Sequence, residues 1–409
     1  MKDVSEINKT LFSFSSEEEL IKENQDIIFN INKESEYDFS DKVSFLPLSR
    51  LNSLQERKDC SDIISQVINT GNFTSGPFIN EIEKFLRNFY YADSCIATSS
   101  GTDAIKIALK ALGITHGDEV ILPLNSFAAT ENAVMAIGAT PVFANIDSSY
   151  NMIPDEINRL VTCKTKAVLP VCLYGSTYHL HEIYKVSKES SLPIVIDAAQ
   201  CFGIKDIINY GDFIALSFNP FKNIGTFGKS GAIITRNSEL SKLARQYSYH
   251  GFLEGKKNIK AQNWGFNSRM DNLQAATLQC KFKHFEKNAM KRCLLAARYI
   301  FLLEELKDKV LPPKELISNT WHLFPILLKE QNRESLIQFA QSKNVELDIY
   351  YPVLSHLGKH PFSENYFNKE QFSLSEDIHS KLVHIPLHNH MSIEEQNIVI
   401  EVLYDFIQK

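Results

Sequence analysis

The chain has 409 residues, 44% of them hydrophobic and 22% charged, a globular composition long enough for two or three packed units. A formal net charge of -6 gives no overall pull toward nucleic acid or an anionic membrane, and it still allows small anions in a local basic pocket. No stretch approaches the ~20 apolar residues of a membrane span, the polar N-terminus has no apolar core of signal length, and the seven cysteines lack CxxC spacing. The expectation is a cytoplasmic protein whose cysteines are buried thiols in a reducing compartment.

Residues 1 to about 45 read as a helical extension. Leu11, Phe12, Phe14, Leu20, Ile21, Ile27, Ile28 and Phe29 lie among charges there and are expected to dock on the body of the protein. From "SFLPLSRL" onward, short apolar runs ("DEVILPL", "TPVFANI", "KAVLPVCLY", "LPIVIDAA", "FIALSF", "GAIITR") alternate with amphipathic segments of helical length. That alternation predicts an α/β unit over 46–283, with a mostly parallel sheet covered on both faces. A long helical stretch beginning near residue 270 bridges to a smaller α+β unit over 284–409. There "WHLFPILL" and "NVELDIYYPV" are the expected strands, and "SIEEQNIVIEVLYDFIQ" is the closing helix.

Three positions carry chemistry, in chain order. "CIATSSGTDAIKIALKALG" reads as a strand, then Ser99, Ser100, Gly101 and Thr102, then a helix. A helix start of this kind offers free N–H groups to a phosphate, although ordinary capping by Ser or Thr is the commoner reason for such a stretch. "IVIDAAQCFG" ends an apolar strand on Asp197, at the sheet edge where α/β proteins bind ligands. That aspartate could be a metal ligand, a general base, the partner of a protonated ring nitrogen or a turn former. With no second carboxylate or histidine cluster at metal-like spacing, a metal is not expected. "SFNPFKNIGTFGKSG" then sets Lys222 between an apolar strand and a glycine-rich stretch, a setting that suits a lysine reacting as a neutral amine. Helix start, strand-end aspartate and loop lysine on one parallel sheet are what pyridoxal 5'-phosphate (PLP) catalysis requires. The lysine bonds the cofactor, the aspartate keeps its pyridine nitrogen protonated, and the helix start takes its phosphate.

With the segments "FTSGPFINEIEKF", "SSGTDAIKIALKALGITHGDEVILP", "ATENAVMAIGATPVF", "DAAQCFG", "SFNPFKNIGTFGKSGAI" and "GFNSRMDNLQAA", the chain resembles the DegT/DnrJ/EryC1/StrS family over roughly residues 46 to 409. These are fold-type I PLP aminotransferases, mostly acting on keto sugars, with a seven-stranded-type sheet in the large domain. The resemblance implies that Lys222 is the cofactor-bonding lysine, that Asp197 pairs with the pyridine nitrogen and that Gln200 lies near the phenolic oxygen. It gives Gly101, Thr102 and Ser217 to the phosphate and has Phe127 stack on the ring. Asn267 matches an asparagine that reaches the neighbouring subunit's cofactor phosphate, which implies a homodimer with shared active sites.

Ser75 is then a candidate for the donor's α-carboxylate, Arg269 for either that carboxylate or a sugar phosphate, and His250 and Tyr351 for the pocket wall. Within the family, the extension together with "YSYHGF", "WHLFPI" and "DIYYPVLSH" resembles the branch that moves nitrogen from glutamate to 3-oxo-glucose 6-phosphate, giving kanosamine 6-phosphate. A nucleotide-linked keto sugar is the alternative acceptor. Sugar dehydration belongs to a branch with histidine in place of the lysine, and Lys222 is kept here. Nicotinamide chemistry would need a glycine-rich turn that is not evident. A regulator that merely kept the fold would be expected to lose Lys222 or Asp197.

Overall fold

The structure is a computed structural model describing residues 42–408, apart from 254–255, 257, 262–263, 314–318 and 359–368. The apolar positions expected to dock the extension, Leu11 through Phe29, lie outside the described residues. What is described of that segment runs against the body. Val43 bridges Val345, the Phe45 N–H donates to Glu346 Oε2 at 3.0 Å, and the Phe45 ring stacks on Tyr350 at 5.5 Å.

Seven strands build the main sheet among the described residues: β1 (Ser94–Thr98), β2 (Glu119–Pro123), β3 (Thr140–Ala144), β4 (Thr165–Val168), β5 (Val195–Asp197), β6 (Phe213–Ser217) and β7 (Gly231–Thr235). Parallel bridges Val168 to Ile194 and Val171 to Asp197 join β4 to β5, so the order is β3-β2-β4-β5-β6-β7-β1. All strands run the same way except β7, which is antiparallel to both neighbours. The reason is local: residues 218–230 contain no helix to carry a crossover, so the chain turns back beside β6. Interior positions of these strands are buried with little alternation, as in a sheet covered on both faces.

Helices α1 (Leu54–Thr70), α2 (Pro77–Phe89), α3 (Gly101–Ala111), α4 (Ala128–Met135), α5 (Glu156–Leu160), α6 (Leu180–Glu189) and α7 (Ser238–Ser248) accompany the sheet. The expected long helix is α8 (Asn272–Leu303), and it packs on α1 and α2. Beyond it, β8 (Val310–Leu311), β9 (Phe324–Leu328) and β10 (Leu382–Ile385) form an antiparallel sheet in the order β10-β9-β8. With it lie α9 (Arg333–Ser342), α10 (Ser373–Lys381) and the closing helix α11 (Ile393–Ile407).

Two expectations need correction. "NVELDIYYPV" is not a strand: it makes only single bridges, at Val345 and Asp348, because its aromatic end turns toward the main sheet instead of along β10. Six of the cysteines are buried, but Cys163 is exposed in the turn before β4. Among the described residues no helix is long and apolar enough to cross a membrane.

Candidate active site

The carboxyl ends of β5 and β6, the start of α3 and the aromatic segment at 350–351 enclose a cleft of about 490 Å³. Gly101, Thr102, Phe127, Asp197, Gln200, Ser217, Lys222 and Tyr351 all line it, so eight of the residues singled out from sequence meet in one place. Leu46, from the chain entering the fold, lines it as well.

Asp197 is buried at the end of β5, where its Oδ2 accepts from the Thr130 hydroxyl at 2.8 Å and its Oδ1 from the Ala199 N–H at 3.1 Å. Burial pushes its carboxyl above the ordinary range, against the pull of those two bonds and of Lys222. Such a group would be stabilised as a carboxylate by a cation brought into the cleft, and a protonated ring nitrogen is one.

Lys222 stands across from it in the loop after β6. Burial lowers its amine from 10.5 to about 8, with the Asp197 charge acting in the opposite direction. Near neutrality a reactive fraction of the amine is therefore unprotonated, as nucleophilic lysine chemistry needs.

The phosphate end is built by close approach. Ser100 caps α3, its Oγ accepting from the Asp103 N–H at 3.1 Å, and the first two residues of the helix, Gly101 and Thr102, line the cleft. A Cβ on Gly101 would stand 2.7 Å from the Ser217 Cβ, and one on Gly231 only 2.5 Å from the Ser100 carbonyl carbon. Glycine at both places lets α3 begin hard against β6 and β7.

Phe127, half exposed, presents its ring at 5.0 Å from Tyr351. The Tyr351 hydroxyl accepts from Gln200 Nε2 at 3.2 Å, while Gln200 Oε1 accepts from the Tyr174 N–H at 2.7 Å. Gln200 is thus oriented from both ends. These donors, the lysine and the buried carboxylate suit a planar, phosphorylated pyridine ring.

The other predicted residues lie elsewhere on this chain. Ser75 and Arg269 line a second cavity with Arg245 and Tyr249, and the Arg269 guanidinium sits 3.7 Å over the Tyr249 ring. His250 is exposed and packs near Tyr249 and Phe252, and Asn267, also exposed, bridges Tyr249. None of these four lines the cleft that holds Lys222. Sequence reasoning also missed Thr130, Thr320, His322 and Asn223, which buttress the cleft from other elements. A hydroxyl residue three positions after Phe127, in the first turn of a helix, was the one signal for Thr130. Among the described residues no cluster of three or more His, Cys, Asp or Glu could hold a metal.

Residues 55–404 match the DegT/DnrJ/EryC1/StrS aminotransferase family. The chain belongs to that family. As a DegT/DnrJ/EryC1/StrS protein it is a PLP-dependent aminotransferase of fold-type I. It is 42% identical to the 3-oxo-glucose-6-phosphate:glutamate aminotransferase of Bacillus subtilis strain 168, over 96% of this chain and 90% of that one. It is 32% identical to the dTDP-3-amino-3,6-dideoxy-alpha-D-galactopyranose transaminase of Aneurinibacillus thermoaerophilus, over 88% and 98%. Among solved structures, NtdA from Bacillus subtilis with bound cofactor PMP superposes with a TM-score of 0.88 at 40% identity, covering 100% of this chain and 90% of that one.

Proposed function

We propose that this aminotransferase moves the amino group of glutamate to carbon 3 of 3-oxo-glucose 6-phosphate, giving kanosamine 6-phosphate and 2-oxoglutarate. The observation that carries the reading is the 42% identity to the Bacillus subtilis enzyme across nearly the whole chain, including the region ahead of residue 55 that the family match leaves out. The local structure agrees with a small acceptor. Leu46 lines the cleft and Phe45 stacks on Tyr350, which also lines it, so the entering segment stands at the cleft wall where a nucleotide-linked sugar would need room.

PLP supplies the electron sink that makes the proton on the amino-bearing carbon acidic. The chain's residues do the rest. Asp197, fixed by Thr130 and Ala199, holds a proton on the ring nitrogen, and the α3 start with Ser217 anchors the phosphate. Phe127 covers one ring face, and Gln200 is set near the phenolic oxygen. Lys222, whose amine burial lowers to about 8, would hold the cofactor and, as a free base, would carry the proton between carbons. The same residues serve glutamate in one half-reaction and the keto sugar in the other.

The enzyme acts as a homodimer in the cytoplasm. Asn267, Ser75, Arg269 and His250 gather on one face away from their own chain's cleft, an arrangement suited to completing the partner's site. Asn267 would reach the partner's cofactor phosphate, while Ser75, Arg269 and His250 would meet substrate. The chain divides into a large unit over 46–283 and a small one over 284–409, with α8 running across the division. The test is acceptor choice: enzyme loaded with nitrogen from glutamate is offered 3-oxo-glucose 6-phosphate, unphosphorylated 3-oxo-glucose and a nucleotide-linked keto sugar. A specificity constant for the first well above the other two supports the reading, and comparable constants for all three defeat it.

A further inference from the structure

His322 is a buried histidine on the cleft wall that the mechanism above does not use. Its surroundings fix which nitrogen carries the hydrogen. Asn223 Nδ2 donates to the Thr320 carbonyl at 2.8 Å, so the amide oxygen must face the other way; a flipped amide would set two oxygens against each other. That oxygen, Asn223 Oδ1, lies 3.0 Å from His322 Nδ1. Nδ1 therefore bears the proton, and Nε2 keeps its lone pair. Thr320 is itself tied down, its hydroxyl donating to the Gln200 carbonyl at 2.8 Å. With Nδ1 turned to Asn223, the ring edge left for the cleft carries Nε2. Burial, reinforced by Lys222, Arg292 and His384, holds the imidazole neutral far below its usual range, so Nε2 does not become a donor.

We propose that His322 is a specificity-determining residue whose Nε2 accepts a hydrogen bond from a hydroxyl flanking the keto carbon of the acceptor sugar. A bare lone pair accepts from donors and repels carboxylates. A hexose offers hydroxyls on both sides of its carbon 3, whereas glutamate offers only carboxylates beyond its reacting amine. His322 thus recognises one of the two substrates that share the cleft. This inference rests on the proposed function to the extent that the acceptor is a sugar.

The two half-reactions separate by the cofactor's absorbance and can be timed singly in wild-type, His322→Leu and His322→Gln enzyme, with glutamate and with 3-oxo-glucose 6-phosphate as probes. His322→Leu is expected to lower kcat/KM of the sugar half-reaction about tenfold or more, because a buried donor on the substrate loses its partner, and the glutamate half-reaction by less than about threefold. His322→Gln, which returns an acceptor oxygen, is expected to recover most of the loss. Equal losses in both half-reactions would assign His322 to Lys222 instead, and no loss in either would remove it from recognition; both overturn the proposal. If 3-oxo-glucose 6-phosphate fails on the wild type, the same comparison runs with whichever keto sugar succeeds. Failure of the substrate reading then shows in the wild type, and failure of this inference shows in the variants. Independently of any variant, long-range proton–nitrogen NMR of histidine-labelled wild-type enzyme must find His322 protonated on Nδ1. A proton on Nε2 overturns the proposal outright.

Discussion

The Thr130 hydroxyl donates to Asp197 Oδ2 at 2.8 Å across 67 positions of sequence, inside a cleft where little else can solvate a carboxylate. Removing the charge and removing its support should have different effects. Asp197→Asn keeps the shape but cannot hold the ring proton, so cofactor should still bind while kcat falls about a hundredfold or more, as measured by steady-state kinetics with absorbance of bound PLP as control. Thr130→Val deletes a bond to a charged group, worth about 1.5–3 kcal/mol, and leaves the carboxylate in place. That bond favours the carboxylate, so its loss raises the Asp197 pKa further. The acid limb of the pH–rate profile should therefore move to higher pH, a shift that Asp197→Asn cannot show.

Lys222 makes the cofactor-free protein less stable than it could be. Its amine is lowered from 10.5 to about 8 by burial, so below pH 8 the folded chain carries the full cost of a buried charge, and between pH 8 and 10.5 the unfolded chain keeps a proton that the folded one has lost. Allowing for partial exposure, the cost is of order 2–3 kcal/mol at pH 7 and fades as the pH rises from 8 toward 10.5. Cofactor-free Lys222→Met should resist urea better than cofactor-free wild type at pH 7, with the two midpoints converging near pH 10. An unchanged gap between pH 7 and 10 would mean that the amine is not the cause.

Close approach at the phosphate end gives a steric prediction. Gly231→Ala would drive a methyl against the Ser100 carbonyl carbon and the Gly101 nitrogen, both backbone atoms that cannot step aside singly. The start of α3 should lift from β7, and PLP affinity should drop about tenfold or more in an absorbance titration. Gly101→Ala meets the Ser217 side chain first and should weaken affinity less.

The proposed sharing of sites between subunits predicts complementation. Lys222→Ala chains and Asn267→Ala chains, each inactive or nearly so alone, should recover activity on mixing and subunit exchange, because one site of each hybrid is wholly intact. Hybrids verified by mass spectrometry yet no more active than their parents would assign Asn267 to its own subunit.

The parts of the site that lie at the ends of apolar strands were legible in sequence. "IVID" and "FIALSF" announce a sheet edge, and a residue's place on that edge follows from its place in the run, so Asp197 and the loop of Lys222 came out directly. Their supports were hidden because they reach the cleft through tertiary contact alone. Asn223 meets His322 across 99 positions and Thr320 meets Gln200 across 120, and single hydroxyl and amide residues in loops carry no periodic signal. The missing strand at "NVELDIYYPV" is the converse case. Its β-prone residues are spent on packing, with Tyr350 stacked on Phe45 and Tyr351 facing Phe127, so local propensity yields to tertiary contact.

The fate of the nitrogen atom distinguishes the two acceptors. Purified enzyme is given [15N]glutamate together with equal concentrations of 3-oxo-glucose 6-phosphate and a nucleotide-linked 3-keto sugar, and the products are read by mass spectrometry. The expected result is 15N in an amino-hexose phosphate, one equivalent of 2-oxoglutarate for each label transferred, and little label in the nucleotide sugar. Label accumulating in the nucleotide-linked product while the hexose phosphate stays unlabelled would contradict it.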